Sequence, residues 1–281
     1  MQMNDYAHPG GVEITKAAFD ACALPKGVRV LDVGCGTGET AAYLASAYGF
    51  SVTGLDIAPS AIAAAKKRYP AIEFLTGDGE ALPFASHTFD CALLACTLSL
   101  FPDPAEAIHE AFCVLKNGGY LIIHDLYLPH PTAEDFAAAA RIKAAKLEQQ
   151  QAHAACVEAQ AHDCAESPHG GALEFENPHD CGQCGACGEV QAHDCAGQRG
   201  AESQSDYAPN GALILNDIHA MLEELGFAMV LFEDRKADLD NYAASLIFRH
   251  GRTNHCFPAH QDRSGWSYFL MVVQKSKRST Q

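Results

Sequence analysis

The stretch Asp32-Val-Gly34-Cys-Gly36-Thr-Gly38 constrains this chain more than any other. The apolar run at 28–33 reads as a buried strand, and the residues to about Tyr48 as a helix that stops at Gly49. Glycines at such a strand-to-helix turn let the backbone take positive φ and approach a ligand closely. Twenty residues after Gly36, Asp56 ends a second strand at 51–56, where a carboxylate can accept both hydroxyls of a ribose. Gly77-Asp78-Gly79-Glu80 follows a third strand at 72–75. Alone, a glycine-rich turn is equally a tight structural turn. Three such elements at the carboxyl edge of one sheet point to a bound cofactor.

The same rhythm continues. Strands are expected at 89–95 and 120–124, and Pro59 and Pro104 stand in the first turns of helices. The helix that Pro104 starts is expected to end at the turn Lys116-Asn-Gly-Gly119. Strands alternating with helices predict a parallel sheet with right-handed crossovers. After Asp125 the pattern changes: residues 132–161 hold no Gly or Pro, which favours a long helix. Order returns at Leu213, with a helix capped by Asn216 or Asp217 and ended by Gly226. A strand at 227–233, a helix at 239–249 and a strand at 266–274 follow. The expected fold is a doubly wound, mostly parallel seven-stranded α/β sheet. Its expected parts are core residues 1–130, an insertion at 131–212 and core completion at 213–281.

Composition narrows the partners. Hydrophobic residues make up 48% and charged residues 19%, the balance of a globular core rather than a disordered chain. No apolar run is long enough for a membrane helix, and the N-terminus shows no apolar signal core. A cytoplasmic protein without a membrane span is expected. The net charge of −16 argues against nucleic acid or an anionic membrane as the main partner.

The 12 cysteines are unevenly placed. Six of them and five of the 14 histidines fall between 151 and 200, with only Val157, Leu173, Phe175 and Val190 as large apolar company. That segment cannot build an ordinary core. Gln160-Ala-His-Asp-Cys-Ala165 recurs as Gln191-Ala-His-Asp-Cys-Ala196, but the spacing is too irregular for a solenoid. In Cys181-Gly-Gln-Cys184-Gly-Ala-Cys187 the two-residue spacing lets neighbouring thiolates share one metal, with Cys195 as a fourth ligand. Zinc suits that set best. An iron–sulfur cluster and a loop of free thiols stay open as alternatives.

Residues 28–125 resemble the class I S-adenosylmethionine-dependent methyltransferases, in particular the small-molecule branch of the ubiquinone/menaquinone C-methyltransferases. The likeness rests on the 30–38 turn, Gly54-Leu-Asp-Ile57, Gly77-Asp-Gly-Glu-Ala-Leu-Pro-Phe84, Phe89-Asp90 and Val114-Leu-Lys-Asn-Gly-Gly119. It implies S-adenosylmethionine as cofactor and a Rossmann-like fold. By position it implies that Gly34, Gly36 and Gly38 face the methionine and ribose, and that Asp32 orients the amino group. Asp56, with Ile57 beside it, would bind the ribose, and Asp78 the adenine amine next to Gly79. Cys96 to Ser99 would pass under the sulfonium. A dinucleotide site is the runner-up, disfavoured by Gly77-Asp78.

For the acceptor, a small molecule, His124 and Asp125 after the fifth strand are the leading base or acceptor-orienting pair, since histidine titrates near neutral pH. Capping of the strand end is the plain alternative. Cys96, Ser99 and Tyr127 lie nearby; Cys96 reads as packing. In many relatives the N-terminal stretch folds over the cofactor as a lid, which would bring Tyr6 and His8 within reach of the acceptor pocket; a frayed terminus is the plain alternative. Thiol-dependent methylation of a metalloid of the arsenite kind ranks second as a function. A non-enzymatic metal-binding or redox protein on this fold ranks third.

Overall fold

A computed structural model describes residues 8–137, 140, 141, 144, 213–250 and 265–276 of the chain. Its centre is a seven-stranded sheet in the order β3-β2-β1-β4-β5-β7-β6. The first half runs α1 (Gly11–Cys22), β1 (Arg29–Val33), α2 (Glu39–Tyr48), β2 (Ser51–Asp56), α3 (Pro59–Arg68) and β3 (Glu73–Thr76). Then come β4 (Phe89–Ala95), a 3₁₀ turn (Leu98–Leu100), α4 (Pro104–Val114) and β5 (Leu115–Tyr127). The second half holds α5 (Leu215–Leu225), β6 (Phe227–Asp234), α6 (Lys236–His250) and β7 (Ser267–Lys275). The first five strands are mutually parallel, and β7 enters antiparallel between β5 and β6. The doubly wound sheet expected from the alternation is therefore present.

Local chemistry sets the boundaries. Gly49 closes α2 at φ 71, its N–H bonded to the Ala45 carbonyl. Pro59 opens α3, whose last turn carries Lys66, Lys67 and Arg68 toward the negative end of the helix dipole. Asp103 caps α4 through the Ala105 N–H at 3.1 Å. One apolar layer, with Ile14, Phe19, Leu44 and Ile62, covers one face of the sheet. A second, with Ile108, Val114, Ile218 and Leu222, covers the other. Burial on both faces is why the central strands read as unbroken apolar runs.

Three expectations need correction. Lys116 to Gly119 is a bulge inside β5 rather than a turn before it. Leu115 pairs with Phe89 and Tyr120 with Cys91, so the residues between them loop out opposite Asp90, which accepts from Lys116 Nζ at 2.8 Å. Helix α5 starts before Asn216 and Asp217, behind an extended Ile214 that makes no side-chain cap. Its start is fixed by Leu213, which is laddered to β5. Helix α6 begins at Lys236, whose N–H donates to Asp234 Oδ1 at 2.8 Å, three residues earlier than expected. Of the long helix expected at 132–161, residues 133–137 are helical and most of the remainder lies outside the described residues.

The two ends of the excursion after β5 meet. Tyr127 and Leu213 form a parallel bridge. The Leu128 N–H donates to the Leu213 carbonyl at 3.1 Å, and the Leu213 N–H to that of Leu126 at 2.9 Å. The chain thus leaves the sheet and returns to it at one point.

The final strand is locked to the opposite end of the sheet by a buried cation. Lys275 Nζ donates to the carbonyls of Phe112 and Leu115 at 2.6 and 2.8 Å and lies 3.9 Å from the centre of the Phe112 ring. It neutralises the carboxyl end of α4. Lys275→Met keeps the stem but leaves those carbonyls without their charged donor. We expect a loss of about 2 kcal/mol in urea unfolding. A loss under about 0.5 kcal/mol would show that the lysine is replaceable packing.

Candidate functional site

In an open α/β sheet the ligand crevice opens where strand order reverses, here between β1 and β4. Asp32 lies in β1, in register with Gly54 of β2 and Leu93 of β4. The chain then turns through Gly34 to Gly38, and the turn is tied to the end of β2. The N–H groups of Gly34 and Cys35 donate to the Leu55 carbonyl at 2.7 and 3.0 Å, and that of Gly36 to Asp56 Oδ2 at 2.8 Å. Across the crevice, Thr97 Oγ1 donates to the Val33 carbonyl at 3.1 Å.

The glycines of this turn do different things. All three have positive φ. A side chain on Gly34 would stand 2.2 Å from Thr97 Cγ2, so this glycine lets the two loops pack. A side chain on Gly36 would meet nothing within 4 Å. Gly36 is therefore the opening in the turn through which backbone can face a ligand.

Three carboxylates stand toward this edge of the sheet, and one of them, Asp56, bonds the Gly36 N–H. Asp56 is buried, with Oδ1 accepting from the Ala58 N–H at 2.9 Å in addition to the Gly36 bond. Each of its oxygens keeps a lone pair. Ile57 next to it is 58% exposed. Asp78 Oδ1 accepts from the Glu80 N–H at 2.9 Å, and Gly79 packs so closely that a side chain there would strike the Phe101 ring. Asp32 is the odd one. It is fully buried, and its Oδ2 has no hydrogen-bond partner among the described residues. Burial, with the Asp56 charge adding to it, pushes its carboxyl up to about 7.

On the β5 side of the crevice sits a second cluster. Cys96, at the carboxyl end of β4, takes φ 56, uncommon for a residue with a side chain. Its N–H donates to the His124 carbonyl at 2.8 Å. The Tyr268 hydroxyl lies 2.7 Å from His124 Nδ1 and 2.8 Å from Cys96 Sγ. The His8 ring packs against that of His124, centroids 4.9 Å apart. Asp125 is buried and well bonded: its carboxylate accepts from the Ser99 N–H at 2.9 Å, the Ser99 hydroxyl at 2.8 Å and the Leu126 N–H at 2.7 Å. Burial raises it to about 6 against the pull of those bonds. Tyr127 donates to Asp234, which also accepts from the Ser267 hydroxyl.

The structure thus gathers Asp32, Gly34, Gly36, Gly38, Asp56, Ile57, Asp78, Gly79 and Cys96 at the carboxyl edge of the sheet, with His124 and Asp125 beside them. Tyr268 and Asp234 were not foreseen. An aromatic in a short apolar strand reads as core, and only the antiparallel entry of β7 brings Tyr268 to β5. Tyr6 and the thiol set Cys181, Cys184, Cys187 and Cys195 lie outside the described residues. Among the described residues one group of possible metal-ligand atoms falls within 4.8 Å, Glu106, His109 and Glu110 on α4. Glu110 there already accepts from the Leu82 N–H. No helix among the described residues is long and apolar enough to cross a membrane.

Residues 31–123 match the family model of a methyltransferase domain. The chain is 38% identical over 121 residues to the demethylmenaquinone methyltransferase of Renibacterium salmoninarum, covering 43% of this chain and 50% of that protein. It is 39% identical over 121 residues to the 2-phytyl-1,4-naphtoquinone methyltransferase of Thermosynechococcus vestitus, covering 41% and 54%. The chain spans about half the length of these curated relatives. Phosphoethanolamine N-methyltransferase 2 of Haemonchus contortus, solved with S-adenosyl-L-methionine, shares the fold. Its TM-score is 0.60 at 15% identity, covering 97% of this chain and 54% of that one.

The state of Asp32 has a measurable consequence. Its folded carboxyl sits above the unfolded value, so its contribution to stability is complete below about pH 4 and is lost as pH rises through about 7. Asp32→Asn removes that loss. At pH 8 the variant is expected to be more stable than the parent by about 1–3 kcal/mol, the gap closing toward pH 4. Thermal melts at several pH values read this directly. A variant less stable than the parent at pH 8 would contradict it.

Proposed function

We propose that this chain, whose residues 31–123 form a class I methyltransferase domain, transfers a methyl group from S-adenosylmethionine to a small-molecule acceptor, and that the acceptor is a quinol-type ring methylated at carbon. The observation that carries the cofactor is Asp32: a buried carboxyl with an unpartnered oxygen among the described residues, in the strand that leads into the open turn at Gly36, at the point where strand order reverses. A cationic group is the natural partner of such a carboxyl. The similarity to a demethylmenaquinone methyltransferase and a 2-phytyl-1,4-naphtoquinone methyltransferase supports the acceptor class.

The residues present fit the cofactor. Asp32 would hold its ammonium, directly or through water. Gly34, Gly36 and Gly38 would line its methionine and ribose. Asp56 would accept the ribose hydroxyls on its remaining lone pairs, with exposed Ile57 beside the ring system. Asp78 would take the adenine amine, with Gly79 along the ring. When bound, this cofactor supplies a methyl group on a positively charged sulfur. The protein's part is alignment and exclusion of water. Cys96, Thr97 and Ser99 shape the floor between the two partners, and Asp125 holds that floor in place through Ser99. His124 faces the acceptor side as an orienting group. Its burial lowers its pKa, which makes it a poor base.

We further propose the domain boundaries at 130 and 212. The stitched bridge between Tyr127 and Leu213 supports an excursion that can vary without disturbing the sheet. We take 131–212 as the cap over the acceptor. Within it, Cys181, Cys184, Cys187 and Cys195 would be the ligands of a zinc ion, and they lie outside the residues 31–123 that the family model matches.

Asp56→Ala tests the cofactor assignment. Calorimetry with S-adenosylmethionine or its demethylated product should show binding to the parent chain, weakened by about 1–3 kcal/mol in the variant. Absence of binding to the parent ends the reading. An unchanged affinity in the variant moves the ribose contact to another residue.

A further inference from the structure

The cluster at Tyr268 holds more information than the distances alone. Leu126 pairs with Tyr268 and His124 with Leu270 across the antiparallel ladder. His124 and Tyr268 are therefore diagonal neighbours on one face, and both are fully buried. The Tyr268 oxygen sits between His124 Nδ1 and Cys96 Sγ. The positive φ of Cys96 and the bond from its N–H to the His124 carbonyl aim the thiol there.

One hydroxyl proton serves two neighbours. An imidazole nitrogen is a far better acceptor than a thiol sulfur, and a thiol is a weak donor. The favoured pattern has Tyr268 O–H donating to Nδ1 and Cys96 S–H donating to the Tyr268 oxygen. The ring proton of His124 then sits on Nε2. That atom is buried and has no hydrogen-bond partner among the described residues. His8 packs on the ring from the N-terminal segment, and Arg235 adds a positive field from the β6–α6 turn. Both disfavour a second ring proton.

We propose that Tyr268 is a positioning residue: by donating to Nδ1 it fixes the tautomer of His124 that carries its proton on Nε2, and so presents an N–H donor to an oxygen of the acceptor molecule. The acceptor class this selects is a molecule with a carbonyl or phenolate oxygen beside the methylated atom. Its link to catalysis rests on the methyl-transfer reading above. The tautomer itself does not.

The test is nitrogen NMR of the histidine side chains in the full chain, labelled with ¹⁵N. The 14 histidines are resolved by subtracting the spectrum of His124→Gln. In the parent chain, His124 should show a protonated Nε2 and a bare Nδ1, unchanged between pH 6 and 8. Tyr268→Phe should mix the two tautomers, while Cys96→Ser, which still donates to the Tyr268 oxygen, should leave the parent pattern. A proton on Nδ1 in the parent overturns the proposal, as does a parent pattern that survives in Tyr268→Phe. If Tyr268→Phe does not fold, the parent and Cys96→Ser spectra still decide. Where an acceptor turns over, Tyr268→Phe should lower kcat about tenfold with cofactor affinity unchanged. Loss of cofactor binding in the parent chain would instead sink the methyl-transfer reading and leave the tautomer measurement standing.

Discussion

A carboxyl held out of water at the end of a parallel strand is the constraint on which this structure turns. Asp32 sits on the central strand, flanked by β2 and β4, with burial and the Asp56 charge both opposing its ionisation. Nothing in the sheet needs an acid there; an apolar residue would pack better. A buried acid of this kind marks a candidate site, and it costs stability while it lacks a partner. The neighbouring parts follow from it. Gly36 leaves open space in the turn that follows the strand, Gly34 lets the β4 loop approach, and Asp56 ties the turn to β2.

The second half of the chain completes what the first half begins. The sheet breaks off at β5 and resumes at Leu213, with the two ends joined by a bridge of two backbone hydrogen bonds. Loop-closure entropy grows only slowly with length, so a long excursion between joined ends adds little to the cost of folding. What returns is not filler. Strand β7 brings Tyr268 against His124 and Cys96, and Lys275 clamps the far end of β5 to α4. The crevice at the glycine turn is thus built from sequence-local motifs, whereas the cluster beside it needs Tyr268, more than a hundred positions from His124 and Cys96.

That division explains what the sequence reveals. The glycine turn and Asp56 are legible because each is fixed by its own strand end, within a few residues. Strand positions are legible because burial on both faces leaves apolar runs. The start of α5 is misread at Asn216 or Asp217 because a tertiary contact, Leu213 on β5, outranks a good capping residue. The bulge at Lys116 to Gly119 is misread because Gly-Gly signals a turn equally well inside or outside a ladder. Tyr268 is invisible because antiparallel pairing of the last strand is a property of topology, not of period. Asp125 reads from the sequence as half of a base or acceptor-orienting pair, and its bonds to Ser99 and Leu126 come from contacts that no local pattern signals.

The most direct test of the Asp32 assignment counts protons. With its carboxyl raised to about 7, part of the Asp32 population holds that proton near neutral pH. Arrival of an ammonium group should expel it. Calorimetric titration with S-adenosylhomocysteine in two buffers of different ionisation enthalpy should therefore show net proton release at pH 7 that is absent in Asp32→Asn. Binding with no proton released at pH 7, or with the same release in Asp32→Asn, would place the ammonium elsewhere and remove the reason for the buried carboxyl.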